Sequence, residues 1–139
     1  MKKLLNAFLL LLALSICLVS CGGTVDSDTL WENATYTENT ELGVGEKTVV
    51  VEVKVEDHSV TFTINTDKTI LGDALFEHAI IDGEEGPYGL YIKKVNGITA
   101  DYDTDQSYWA FYQNGEYMMT GVDTTEIIGG EHYELVYSK

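Results

Sequence analysis

Asp101, Asp103 and Asp105 alternate along the chain in the manner that opens a helix-flanked calcium loop. Such a loop needs Gly at its sixth position and Glu at its twelfth, and here those positions hold Gln106 and Tyr112. The three carboxylates therefore read as an acidic loop between strands. His58, His78 and His132 are scattered, with no His-x-x-x-His or Glu-x-x-His spacing. Ser59 and Ser107 lack the strained Gly-x-Ser-x-Gly setting of a nucleophile, and no Gly-rich phosphate loop follows a strand. Nothing assembles a nucleophile, a base and an oxyanion donor, so neither an enzyme nor a metal site is expected.

The aromatic residues carry a different chemistry. Tyr88, Tyr91, Tyr102, Tyr108, Trp109, Phe111, Tyr112, Tyr117, Tyr133 and Tyr137 crowd the C-terminal half. Alternation puts Trp109 and Phe111 on one strand face and Tyr108, Ala110 and Tyr112 on the other. One face serves the core. The other, with Met118 or Met119 from a partner strand, offers rigid contact area with polar handles beside an adaptable thioether.

Elements must position these residues. Val49, Val51, Val53 and Val55 alternate with polar neighbours, and Val60, Phe62 and Ile64 do so again after a polar turn, which predicts a hairpin. Helical spacing follows over Thr69 to Ile81, and residues 82–87 read as a loop. Asn96-Gly97 and Asn114-Gly115 are favoured pairs for tight turns. They punctuate strands at 90–95, 108–113 and 116–120, and Gly129-Gly130 precedes a last strand at 133–137. This order implies an α+β fold of the β-grasp kind, with one helix packed on a small mixed or antiparallel sheet.

The N-terminus reads as an export signal. Lys2 and Lys3 precede an apolar run reaching Val19, shorter than the roughly 20 residues a spanning helix needs. Leu18-Val19-Ser20-Cys21 resembles the lipobox of bacterial lipoprotein signals. That resemblance implies cleavage before Cys21, lipidation of its thiol, and residence on the extracytoplasmic face of a cell membrane. Residues 1–20 are then a signal peptide, 21–46 the lipidated Cys and a flexible tether (in which Leu30 and Trp31 are exceptions able to dock), and 47–139 the domain. Cys17 lies in the removed segment, which leaves no thiol for a disulfide or a zinc-thiolate site. All eight basic residues are Lys, against 23 acidic ones. Such a surface repels phosphate backbones, which excludes nucleic acid as a partner, and leaves membrane contact to the lipid.

The ordered set Thr69 to Leu75, Gly89 to Gly97, Tyr108-Trp109, Asn114-Gly115, Gly121-Val122 and the final G-G-E-H-Y-E-L-V-Y resembles a family of bacterial surface lipoproteins carrying a domain of unknown function. That domain is similar to the C-terminal β-domain of transcobalamin and intrinsic factor, the animal cobalamin carriers. The resemblance implies a small-molecule ligand, cobalamin or another corrinoid, taken up with the help of a vitamin transporter. Carried over by position, the ligand contacts are Trp109, Ala110 and Phe111 on one strand and Met119, Thr120 and Gly121 on the segment after it. The alternative expectation is a surface module for a protein or glycan partner, without a small-molecule ligand.

Overall fold

In residues 47–66 the side chains that alternate as apolar and polar also alternate as buried and half-buried, which is the pleat of a strand covered on one face. Val49, Val51, Val53, Val55, Val60, Phe62 and Ile64 are fully buried. A computed structural model describes residues 26–139; the expected signal peptide and Cys21 lie outside them. The described chain forms α1 (Ser27–Trp31), β1 (Thr40–Leu42), β2 (Lys47–Val55), β3 (His58–Thr66), α2 (Leu71–Glu77), β4 (Ile81–Gly86), β5 (Gly89–Val95), β6 (Ile98–Thr99), α3 (Tyr102–Asp105), β7 (Tyr108–Gln113), β8 (Glu116–Tyr117) and β9 (His132–Ser138).

The nine strands of the described residues make two sheets, one of six in the order β1-β3-β2-β9-β7-β8 and one of three in the order β4-β5-β6. The β2–β9 and β1–β3 pairings are parallel and the other strand pairings antiparallel. The buried faces of β2, β3, β7 and β9 share one core with Leu71, Ala74 and Leu75 of α2 and with Ile81, Val95 and Ile98 of the smaller sheet. The fold is mixed and mostly sheet, with a larger sheet than expected and three short helices in place of one. No helix among the described residues is long and apolar enough to cross a membrane.

Three expectations are corrected. The helix foreseen over 69–81 is shortened to Leu71–Glu77, because Ile70 is extended and Ala79 takes a φ of 53° that ends the helical path. Most of the foreseen loop at 82–87 is strand β4, paired with β5 through an irregularity at Asp82/Gly83. It carries no apolar alternation because most of its side chains face solvent. The described part of the foreseen tether, 26–46, is built into the fold. Trp31 stacks on the His58 ring at 5.2 Å, the Asp28 carboxylate meets His58 Nε2 at 2.6 Å, and Tyr36 packs edge-on to Phe62 at 5.3 Å. Leu30 and Trp31 dock on the core as their apolar character allows, and the polar spacing of the segment concealed that Ala34, Tyr36 and Leu42 dock there too.

Asn96 clasps this strap. Its side-chain amide donates to the Tyr36 carbonyl at 2.9 Å, and its side-chain oxygen accepts the Tyr36 N–H at 2.9 Å. Its backbone carbonyl accepts the Thr35 N–H, also at 2.9 Å. Gly97, at φ 82°, lets the strap pass so close that a Cβ there would meet the Asn33 carbonyl oxygen at 2.5 Å.

Candidate functional site

Strand β7 holds the first set of carried-over residues. Trp109 and Phe111 point into the core, where Trp109 packs edge-on to Tyr137 at 5.5 Å and Phe111 stacks with Tyr133 at 5.7 Å. Ala110 is buried on the opposite face. The side chains of these three residues are therefore not available on the surface. Trp109 Nε1 and the Tyr133 hydroxyl are both buried without a hydrogen-bond partner among the described residues, and burial pushes the Tyr133 phenol up to about 12.

Among the described residues, most of one side of the β7 backbone has no strand partner. β9 runs along its whole length, whereas β8 covers only Tyr112 and Gln113. The Phe111 carbonyl accepts the Met118 N–H at 2.9 Å. Alternation then turns the Trp109 peptide groups the same way, toward an edge that no strand among the described residues occupies. The same hydrogen bond brings the second set of residues alongside. Met119 is 90 % exposed and Thr120 is exposed, while Gly121 is half-buried. The Gly121 carbonyl accepts the Thr125 hydroxyl at 2.8 Å and starts the 3-10 turn at Val122–Thr124. A Cβ on Gly121 would collide with Asp123 Oδ1, and the other oxygen of that carboxylate accepts the Leu90 N–H at 3.2 Å. The segment is thereby fastened to β5.

Beside β7 lies an aromatic cleft of about 460 Å³, lined by Tyr91 of β5, Tyr102 and Asp103 of α3, and Tyr108 of β7. Its volume is in the range of small-molecule sites. Of the alternating aspartates, Asp103 lines it, and Asp101 and Asp105 position it. The Asp101 side chain accepts the Asp103 N–H at 3.1 Å and the Thr104 hydroxyl at 2.8 Å, which caps α3. Asp105 accepts the Ser107 N–H at 3.0 Å as well as its hydroxyl. The Ser107 bonds, with the Lys139 ammonium at 3.4 Å, hold the Asp105 carboxyl below its ordinary range. The three aspartates thus shape an α3 turn, consistent with the acidic loop read from the sequence. Tyr91, Tyr102 and Asp103 were not among the expected contacts, because only tertiary packing brings α3 and β5 to β7.

A second group was also missed. On the outer face of the six-stranded sheet, the β2–β9 register sets Glu52 opposite Glu134, with His132 two residues earlier on the same face. His132 Nε2 lies 3.6 Å from Glu52 Oε2. The Lys54 ammonium donates to Glu134 Oε2 at 3.1 Å and lies 3.7 Å from Glu52 Oε2. The hydrogen bond to Glu134, joined by the charge of Glu52, holds Lys54 above its ordinary value against the opposing effect of burial. Alternation in Glu52-x-Lys54 and His132-x-Glu134 was visible in the sequence; the register that joins the two strands was not.

The family model described as "Domain of unknown function (DUF4430)" matches residues 67–139. No curated protein matches the sequence. Among solved structures, a "putative metal binding protein" from Ruminococcus gnavus ATCC 29149 is similar with a TM-score of 0.64 and 36% identity, over 68% of this chain and 98% of that one. Haptocorrin in complex with Cbi is similar with a TM-score of 0.51 and 22% identity, over 70% of this chain and 26% of haptocorrin. The chain thus spans about a quarter of haptocorrin, and that likeness is one of fold.

Proposed function

The chain belongs to the family described as "Domain of unknown function (DUF4430)", and from that premise we propose that it is a non-enzymatic, membrane-anchored lipoprotein that binds a small molecule of the corrinoid class on the extracytoplasmic face. The observation that carries this reading is the uncovered outer edge of β7 beside the exposed Met119 segment. Free peptide groups on a fixed strand can pair with the amide rim of a large flat ligand, and a thioether and aromatic rings can cover its face. The fold shared with haptocorrin supports the same reading, as does the motif series from Thr69 to the final strand. The finer description of the fold as β-grasp-like, with α2 closing over the sheet, belongs to this proposal. So do the lipid on Cys21 and a membrane transporter that takes the ligand onward.

Calorimetric titration of the detergent-solubilised full chain with cobalamin and with cobinamide tests the ligand. Binding weakened by Met119→Glu is expected. Absence of binding at high micromolar ligand removes the corrinoid reading, and leaves the edge of β7 as a docking strand for an extended peptide. Labelled palmitate tests the anchor: incorporation that survives Cys21→Ser refutes it.

A second reading is favoured by one specific observation. The Ruminococcus gnavus relative is described as metal binding, and Glu52, His132 and Glu134 are a group able to hold a metal ion.

A further inference from the structure

The parallel register of β2 and β9 places two carboxylates, Glu52 and Glu134, directly opposite each other on an open sheet face. Like charges in that position destabilise a sheet unless a cation joins them. Lys54 supplies one positive charge against two negative ones. His132 adds an imidazole whose Nε2 faces Glu52 rather than solvent alone. We infer that Glu52, His132 and Glu134 form a three-ligand site for a divalent transition metal of the zinc type, with Lys54 as the resident counter-ion that the metal displaces. This rests on the metal-binding reading above and gives it a location and an ion class.

The donor set decides the class. One imidazole nitrogen and two carboxylate oxygens suit Zn²⁺, Co²⁺ or Mn²⁺. Calcium and magnesium take oxygen alone, and copper(I) prefers thiolates, which the described residues do not contain. The geometry is close to what such an ion needs. Donor atoms no more than 4.8 Å apart can share a centre lying about 2.8 Å from each, and rotation of two surface carboxylates brings that to the roughly 2.0–2.2 Å of zinc–nitrogen and zinc–oxygen bonds. The ligands stand on the two central strands of the larger sheet. The start of β9 is pinned as well. The His132 carbonyl accepts the Asn114 N–H at 2.8 Å, and the His132 N–H donates to the Asn114 side-chain oxygen at 3.3 Å. With three protein ligands the remaining positions face water, the arrangement of an ion that can also take an exogenous ligand. The flexible four-carbon stem of Lys54 lets its ammonium swing into solvent when the ion arrives.

Titrating the full chain with zinc chloride, and with cobalt chloride followed by visible absorption, tests the assignment. One ion per chain is expected, and calcium chloride should not compete. His132→Ala and Glu52→Gln should each weaken zinc by at least about tenfold. Lys54→Met should tighten it, an effect opposite in sign to that of losing a ligand. All four side chains are at least partly exposed, so thermal melts of His132→Ala and Glu52→Gln should stay near that of the parent, whereas metal-free Lys54→Met, with its two carboxylates unjoined, should melt lower and recover with zinc. Zinc held equally well by His132→Ala and Glu52→Gln overturns this site while leaving metal binding elsewhere in the chain. Zinc held by no variant and not by the parent overturns the site and the metal-binding reading together. A Lys54→Met chain that binds no better than the parent overturns the counter-ion role.

Discussion

Replacing Asn96 tests whether the N-terminal strap is part of the folded domain. Asn96 is 1 % exposed, sits at φ 50°, and pairs through both side-chain atoms with the backbone of Tyr36. Asn96→Ala removes two hydrogen bonds, together about 1–3 kcal/mol, and puts a Cβ without a compensating amide in the left-handed region, about 1–2 kcal/mol more. The expected loss is therefore about 2–5 kcal/mol, or a melting temperature lower by about 8–20 °C at roughly 4 °C per kcal/mol. Asn96→Gly removes the same hydrogen bonds but tolerates the φ, so it should lie between the parent and Asn96→Ala. Denaturant unfolding of the three chains measures both terms. In limited proteolysis, both variants should be cut faster between residues 26 and 40, where the strap would lift. Asn96→Ala within about 0.5 kcal/mol of the parent would refute the clasp, because a buried donor and acceptor cannot be lost that cheaply. Equal values for Ala and Gly would refute the backbone part.

Two further outcomes are expected. The Tyr133 phenol, fully buried and pushed up to about 12, should ionise last among the nine tyrosines in an ultraviolet titration. Its folded value lies above the ordinary 10, so its contribution to stability is complete below pH 10 and is lost as pH rises toward 12; all tyrosines ionising near 10 while the circular dichroism stays native would contradict this. Gly121→Ala should cost about 1–2 kcal/mol, because the new Cβ must push the Asp123 carboxylate off the Leu90 N–H. It should also weaken any ligand held at Met119, and unchanged stability in denaturant would show that the Asp123 fastening is dispensable.

What could be read from the sequence was local. The valine alternation from Val49 to Val55 located β2, and both Asn-Gly pairs have the positive φ values of tight turns. The alternation through Trp109 and Phe111 split β7 into two faces, and only the three-dimensional arrangement shows which one the core takes. Where side chains face water the pattern fades, and β4, with Gly83, Glu84, Glu85 and Gly86, was read as a loop for that reason. Asn96 was legible as a turn residue but not as a clasp, because its partner Tyr36 is 60 positions away. The cleft of Tyr91, Tyr102 and Tyr108 and the group around His132 depend in the same way on non-local packing and register, which composition does not encode.

The central position of β9 bears on when the protein can fold. The last strand in chain order fills the slot between β2 and β7, so Val50 finds its partner His132 only after almost every other element has been made. Before that, the β2–β3 hairpin has one long open edge and β7 lacks its one long neighbour. Contacts so distant along the chain place folding toward the slow end of the range for small domains. The larger sheet stays incomplete until residues 132–138 are available. The six-stranded sheet is therefore closed by one late pairing, and its two parts, β1-β3-β2 and β7-β8, stay unjoined until β9 slots between them.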